Sequence, residues 1–369
     1  MKRLLLIVGP VLIGLLTLLV AEGIYSVTRW KTADRSIVYN TYRLLTKMTP
    51  DDAQPELRLA SRGEFEALIP DMLEAGAGLG NSPYKELKNE RSAINARTAD
   101  GCMFSKPFLD KEITHIRTAE FNLFDPPALF YDRGAVLSAP LQAFVEKYAI
   151  RRLSYRTNSH GERLTFPATD VQDRVLVAGD SVANGAMVSD EETLSSALQQ
   201  RDSTRQYVNL GVNGNSAEDN LCNLAAAAER YRGQIKALVY VYSENDFELD
   251  KPYGEPEDVV AWLADFAKRE GIAKVTITYA SYIYTIMPHL TRFRGYRGEG
   301  RPAHHAEAER LRTLSSSAGF EFIDIADLVQ REIQDFGTDF AAFSLFVDSL
   351  HLSPYGSARL ADALLGRNS

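Results

Sequence analysis

From Arg174 onward the chain alternates short apolar, β-branched runs with longer stretches of helical period. The runs are Arg174–Ala178, Gln206–Leu210, Lys236–Tyr242, Lys274–Tyr279 and Phe320–Ile323. Between them, Glu191–Gln200, Ala217–Tyr231, Glu257–Glu270 and Ala303–Ala318 repeat their apolar positions every three or four residues. Strands alternating with helices predict a parallel sheet covered on both faces. In such open sheets, sites form beyond the carboxyl ends of the strands. The residues directly after each run are therefore the informative ones.

The region before Arg174 is less regular. Lys2 and Arg3 precede an uncharged apolar stretch from Leu4 to Val20, followed by Ala21-Glu22-Gly23. As a helix this stretch spans about 26 Å, close to the hydrocarbon thickness of a bilayer. Residues 1–23 thus read as a transmembrane anchor, with a cleaved signal peptide as the competing reading. The positive flank stays in the cytoplasm, so either reading exports the remainder. Residues 24–70 read as a juxtamembrane helical segment, and Glu74–Pro83 as a glycine-rich loop. A helical pattern runs from Leu141 to Tyr148. The expected division is an anchor at 1–23, an extension of no assignable fold at 24–152, and an α/β domain at 153–369.

Composition narrows the partners. The chain is 45% hydrophobic and 24% charged, an ordinary globular balance. A net charge of -8 argues against nucleic acid as a partner. Two cysteines, Cys102 and Cys222, exclude a disulfide-stapled scaffold and a cysteine-rich zinc site. One bridge between them remains open if the folded part is exported.

Candidate chemistry sits where the sheet rule directs it. The first run ends in Gly179-Asp180-Ser181, which puts a serine hydroxyl at a strand-to-helix turn. A plain helix cap is the bland reading of such a serine. The second run ends in Asn209-Leu210-Gly211-Val212-Asn213-Gly214-Asn215-Ser216, where glycines let amide N–H groups point outward. The third ends in Ser243-Glu244-Asn245-Asp246, and an asparagine there can offer its side-chain amide to a developing oxyanion. Near the C-terminus, Asp348 stands three residues before His351, in a turn leading to a final helix. A carboxylate so placed can fix an imidazole tautomer. Of the six histidines, His304 and His305 read as a helix start, while His115, His160 and His289 have no evident chemical partner.

Taken together and in this order, these segments resemble the four blocks of the SGNH (GDSL-like) hydrolase superfamily. The stretch Arg156–Arg163 (RTNSHGER) also looks like the lead-in of its membrane-anchored bacterial members. The resemblance begins near Tyr155 and covers nothing before Leu153. It implies a flavodoxin-like three-layer α/β sandwich with a five-stranded parallel sheet. It also implies Ser181 as nucleophile, His351 as base and Asp348 as its orienting acid. The oxyanion hole would comprise the N–H groups of Ser181 and Gly214 and the amide of Asn245. One departure stands out, because the usual glycine of the third block is here Ser243.

No G-x-S-x-G elbow, Walker A motif, H-E-x-x-H or C-x-x-C is present, and nothing calls for a metal or an organic cofactor. After the fourth run, Ser281–Pro302 places Arg292, Arg294, Arg297 and Arg301 among aromatics that include Tyr296. Arg292, Arg294, Tyr296 and Arg297 are the candidate substrate contacts, suited to sugars or anions. A solvated basic loop is the competing reading. The expected function is an exported, membrane-anchored serine esterase, acting on acyl esters of an extracytoplasmic glycan from the periplasmic side of a bacterial inner membrane. The alternatives are an O-acyltransferase working beside a membrane-bound acyltransferase partner, and a non-catalytic binding module on the same scaffold.

Overall fold

The computed structural model describes residues 59–60, 94–99, 101–118, 129–132, 149–244, 246, 255–287, 304–336, 342, 344–347 and 350–367. The expected anchor at 1–23, the loop at Glu74–Pro83 and the helical pattern at Leu141–Tyr148 lie outside the described residues. Among the described residues, no helix is long and apolar enough to cross a membrane.

Among the described residues, six strands precede the main domain: β1 (Leu59–Ala60), β2 (Asn95–Arg97), β3 (Met103–Ser105), β4 (Asp110–Thr118), β5 (Leu129–Asp132) and β6 (Ala149–Arg156). β4 pairs antiparallel with β5 and β6, and its last two residues pair parallel with β1. The expected helical segment over 24–70 is therefore extended at Leu59–Ala60, where the end of β4 supplies backbone partners. β2 and β3 form a short antiparallel hairpin.

The main domain is built on β7 (Arg174–Gly179), β8 (Gln206–Asn209), β9 (Ile235–Ser243), β10 (Lys274–Ala280) and β11 (Glu321–Asp324). All five are parallel, in the order β8-β7-β9-β10-β11. The chain reverses its direction of travel across the sheet between β7 and β9, so a crevice opens at the carboxyl ends of those two strands. The helices are α1 (Ser181–Asn184), α2 (Leu194–Arg201), α3 (Ala217–Arg230), α4 (Pro256–Glu270), α5 (Ile283–Ile286), α6 (His304–Ser317), α7 (Ile325–Phe336) and α8 (Pro354–Leu364).

Both faces of the sheet are buried, as the continuous apolar runs require. In β7, Val175 and Val177 join one apolar cluster while Leu176 and Ala178 join the other. β9 alternates in the same way, with Val239 and Val241 on one side and Leu238, Tyr240 and Tyr242 on the other. α2, α7 and α8 cover the first face; α3, α4 and α6 cover the second. The result is a three-layer α/β sandwich.

Local signals set the helix ends. Ser216 caps α3 in a reciprocal box with Asp219, and Thr193 caps α2. Pro256 opens α4, and left-handed Gly271 closes it. α7 has no counterpart among the sequence-derived helices. It begins at the residue after β11, with the Asp324 carboxylate accepting from the Ala326 N–H.

Cys102 and Cys222 are joined in a disulfide. It ties the β2–β3 hairpin to α3, across 120 residues of sequence.

Candidate active site

Ser181 opens α1 directly beyond β7. Gly179 makes the turn possible: its φ is +148°, and a Cβ there would sit 2.6 Å from the Val241 carbonyl oxygen. Asp180 is fully buried and caps α1, its Oδ1 accepting from the Val182 N–H at 2.9 Å. The Ser181 Oγ lies 3.3 Å from Asp180 Oδ2 and 2.8 Å from His351 Nε2. That second contact joins residues 170 apart in sequence at ordinary hydrogen-bond distance.

His351 is presented by a turn stitched to residues 344–347. The Val347 N–H donates to the His351 carbonyl, Phe346 bridges Leu352, and the Ser353 N–H donates to the Leu345 carbonyl. Ser353 also caps α8 and donates its hydroxyl to the Ser344 carbonyl at 2.6 Å. The ring is thereby held while its edge stays partly exposed, as does Ser181.

The loop after β8 lies against α1. Gly211 packs so closely that a Cβ would fall 2.2 Å from the Asn184 backbone nitrogen. The buried Asn184 side chain donates to the Gly211 carbonyl at 2.7 Å. Gly214 has φ +75°. Among the described residues, neither the Ser181 N–H nor the Gly214 N–H donates a hydrogen bond within the protein.

The turn after β9 is held by its flanks. The Ser243 N–H donates to Asp246 Oδ2 at 3.0 Å, while Glu244 accepts from the Tyr282 N–H and the Thr285 hydroxyl. Ser243, the departure from the third block, is fully buried, and its hydroxyl donates to Asp180 Oδ1 at 2.8 Å. The extra side chain thus links the third strand end to the nucleophile turn. Burial, reinforced by the charge of Asp246, holds the Tyr240 and Tyr242 phenols well above their usual range.

The structure therefore brings together Ser181, His351 and the Gly214 loop. Asn245, Asp348, Arg292, Arg294, Tyr296 and Arg297 lie outside the described residues. Among the described residues, no group of acidic, histidine or cysteine side chains is arranged to hold a metal.

Sequence reasoning missed the support beneath the nucleophile. Arg163, 2% exposed, pairs its Nε with the fully buried Asp190 at 2.8 Å. Its remaining donors reach the carbonyls of Asn184, Gly185, Val188 and Ser154. It therefore caps the C-terminal end of α1 with a full positive charge. Its place in the RTNSHGER stretch was the available signal, but the spacing of that stretch said nothing about which carbonyls it would meet.

No protein-family model matches the sequence, and no curated protein matches it. Solved structures do. A member of the lipolytic protein G-D-S-L family from Veillonella parvula is 16% identical, with a TM-score of 0.39, over 52% of this chain and 96% of that one. An α/β hydrolase enzyme from the metagenome of Lake Arreo, Spain, is 15% identical, with a TM-score of 0.40, over 54% of this chain and 98% of its own. A catalytic mutant of an acetylxylan esterase from Geobacillus stearothermophilus is 16% identical, with a TM-score of 0.38, over 53% and 94%.

Proposed function

We propose that this chain is a serine esterase or acyl-transfer enzyme that works through an acyl-enzyme on Ser181. The observation that carries the reading is the 2.8 Å contact between Ser181 Oγ and His351 Nε2 at the carboxyl edge of the sheet. In the reactive tautomer Nε2 accepts the serine proton. As Oγ bonds to the acyl carbon, the proton passes to His351, and the carbonyl oxygen becomes an oxyanion facing the N–H groups of Ser181 and Gly214. Asn245 would supply a third donor, and Asp348 would stabilise the imidazolium through Nδ1. Collapse expels the alkoxide, which takes the proton back from His351. Water or a sugar hydroxyl then attacks the acyl-enzyme by the same steps in reverse, so hydrolysis and transfer use the same residues.

The setting is extracytoplasmic and the attachment is to a membrane. Lys2 and Arg3 before the apolar Leu4–Val20 stretch support this, and so does the Cys102–Cys222 disulfide, since such bridges persist in oxidising compartments. The substrate is an acyl ester of a glycan, a reading supported by the arginines and tyrosines of Ser281–Pro302.

The test begins with a fluorophosphonate probe, which should label Ser181. Ser181→Ala should abolish labelling and lower kcat on short acyl esters by several orders of magnitude. Esterase activity that persists in Ser181→Ala would overturn the reading.

A further inference from the structure

We infer that Asn95, on the β2–β3 hairpin and outside the parallel-sheet domain, is a positioning residue for the oxyanion hole. The inference rests on the reading of the Gly214 N–H as an oxyanion donor. Asn95 is buried, and its Nδ2 donates to the Asn213 carbonyl oxygen at 2.9 Å. That carbonyl and the Gly214 N–H belong to one peptide unit. The unit is trans, so the two groups point in opposite directions from a common plane. Fixing the carbonyl on Asn95 therefore fixes the direction of the N–H.

Such a lock is needed because Gly214 cannot supply it. At φ +75° a glycine tolerates either orientation of the preceding peptide at little steric cost. A flip would turn the N–H away and present a carbonyl oxygen where negative charge develops. Donation to the carbonyl also polarises the peptide and strengthens its N–H as a donor.

Asn95 is itself immobilised. It pairs in register with Ser105, and the hairpin is pinned to α3 by the Met103 N–H donating to Asp219 Oδ1 at 2.9 Å and by the Cys102–Cys222 bridge. α3 starts directly after the Gly214 loop, so lock and loop share one support.

The test uses the full-length protein carrying Asn95→Leu, which keeps the approximate size and removes the donor, and Asn95→Ala. Rates are normalised to the concentration of Ser181 that a fluorophosphonate titrates, so only folded sites count. In both variants kcat on a short acyl ester should fall about ten- to a hundredfold, less than outright removal of a donor, while KM stays within about twofold. A trifluoromethyl ketone, whose adduct with Ser181 carries an oxyanion, should lose affinity by the same factor as kcat/KM. Asn95→Ser serves if neither variant folds: its hydroxyl is too short to reach Asn213, and the same split is expected. Wild-type kcat per titrated site, or a change in KM without one in kcat, would overturn the inference. Activity that survives Ser181→Ala would instead overturn the reading of the site itself.

Discussion

At the scale of single residues, the nucleophile turn depends on one buried carboxylate. Asp180 accepts from the Val182 N–H and from the Ser243 hydroxyl, and its Oδ2 lies 3.3 Å from Ser181 Oγ. Ser243→Ala should remove one of these donors and leave the backbone of β9 unchanged. The expected loss is roughly 1–3 kcal/mol of stability, the usual cost of depriving a buried polar group of a partner. Urea unfolding monitors it, and the rate of fluorophosphonate labelling at Ser181 should fall only a few-fold. Unchanged unfolding would mean that the hydroxyl contributes nothing to the turn. The pairing of Ser181 with His351 was legible in sequence because each sits in a short motif defined by residue type. The roles of Asn95, Arg163 and Ser243 were not. Each acts on a backbone or carboxylate group distant in sequence, and no local pattern encodes such a contact.

At the scale of elements, the five parallel strands were legible to within a residue or two, because burial on both faces demands unbroken apolar runs. α7 was missed for a related reason. β11 passes into it with no glycine or proline between them, and the sequence reading stops at the strand-like run Phe320–Ile323. The three-residue strands β2 and β3 are too short to show any period. The element most exposed to mutation is α1, four residues long and held at its C-terminal end by Arg163. Arg163→Met should cost roughly 3–5 kcal/mol, since it strips a partner from buried Asp190 and leaves several carbonyls unmet. Arg156 also pairs with Asp190 through its Nε at 2.8 Å, which places the expected value at the lower end of that range. The comparison to make is denaturant unfolding of Arg163→Met beside Arg156→Met, with the larger loss expected in the former.

At the scale of the whole molecule, the disulfide couples the extension to the domain. It closes a loop of 120 residues of sequence, so its removal releases considerable freedom in the unfolded chain. Cys102→Ala with Cys222→Ala should lower stability by roughly 2–4 kcal/mol, and a reducing agent should act in the same way on the wild type but not on the double variant. Differential scanning calorimetry with and without reductant distinguishes these cases. A wild type whose unfolding ignores reductant would show that the bridge carries no stability.

The 170 residues between Ser181 and His351 also bear on how the protein is made. The chain emerges from its N-terminus, so the serine is complete and β7 can pair long before the imidazole exists. During that interval the hydroxyl lacks the imidazole that it meets in the folded chain. The contact forms only once residues 350–353 have met residues 344–347, with α8 packed on α2 and Arg201 paired to Asp362. A chain that ends after α7 therefore lacks the Ser181–His351 contact altogether. The order of the two residues along the chain makes their meeting one of the last contacts that synthesis allows.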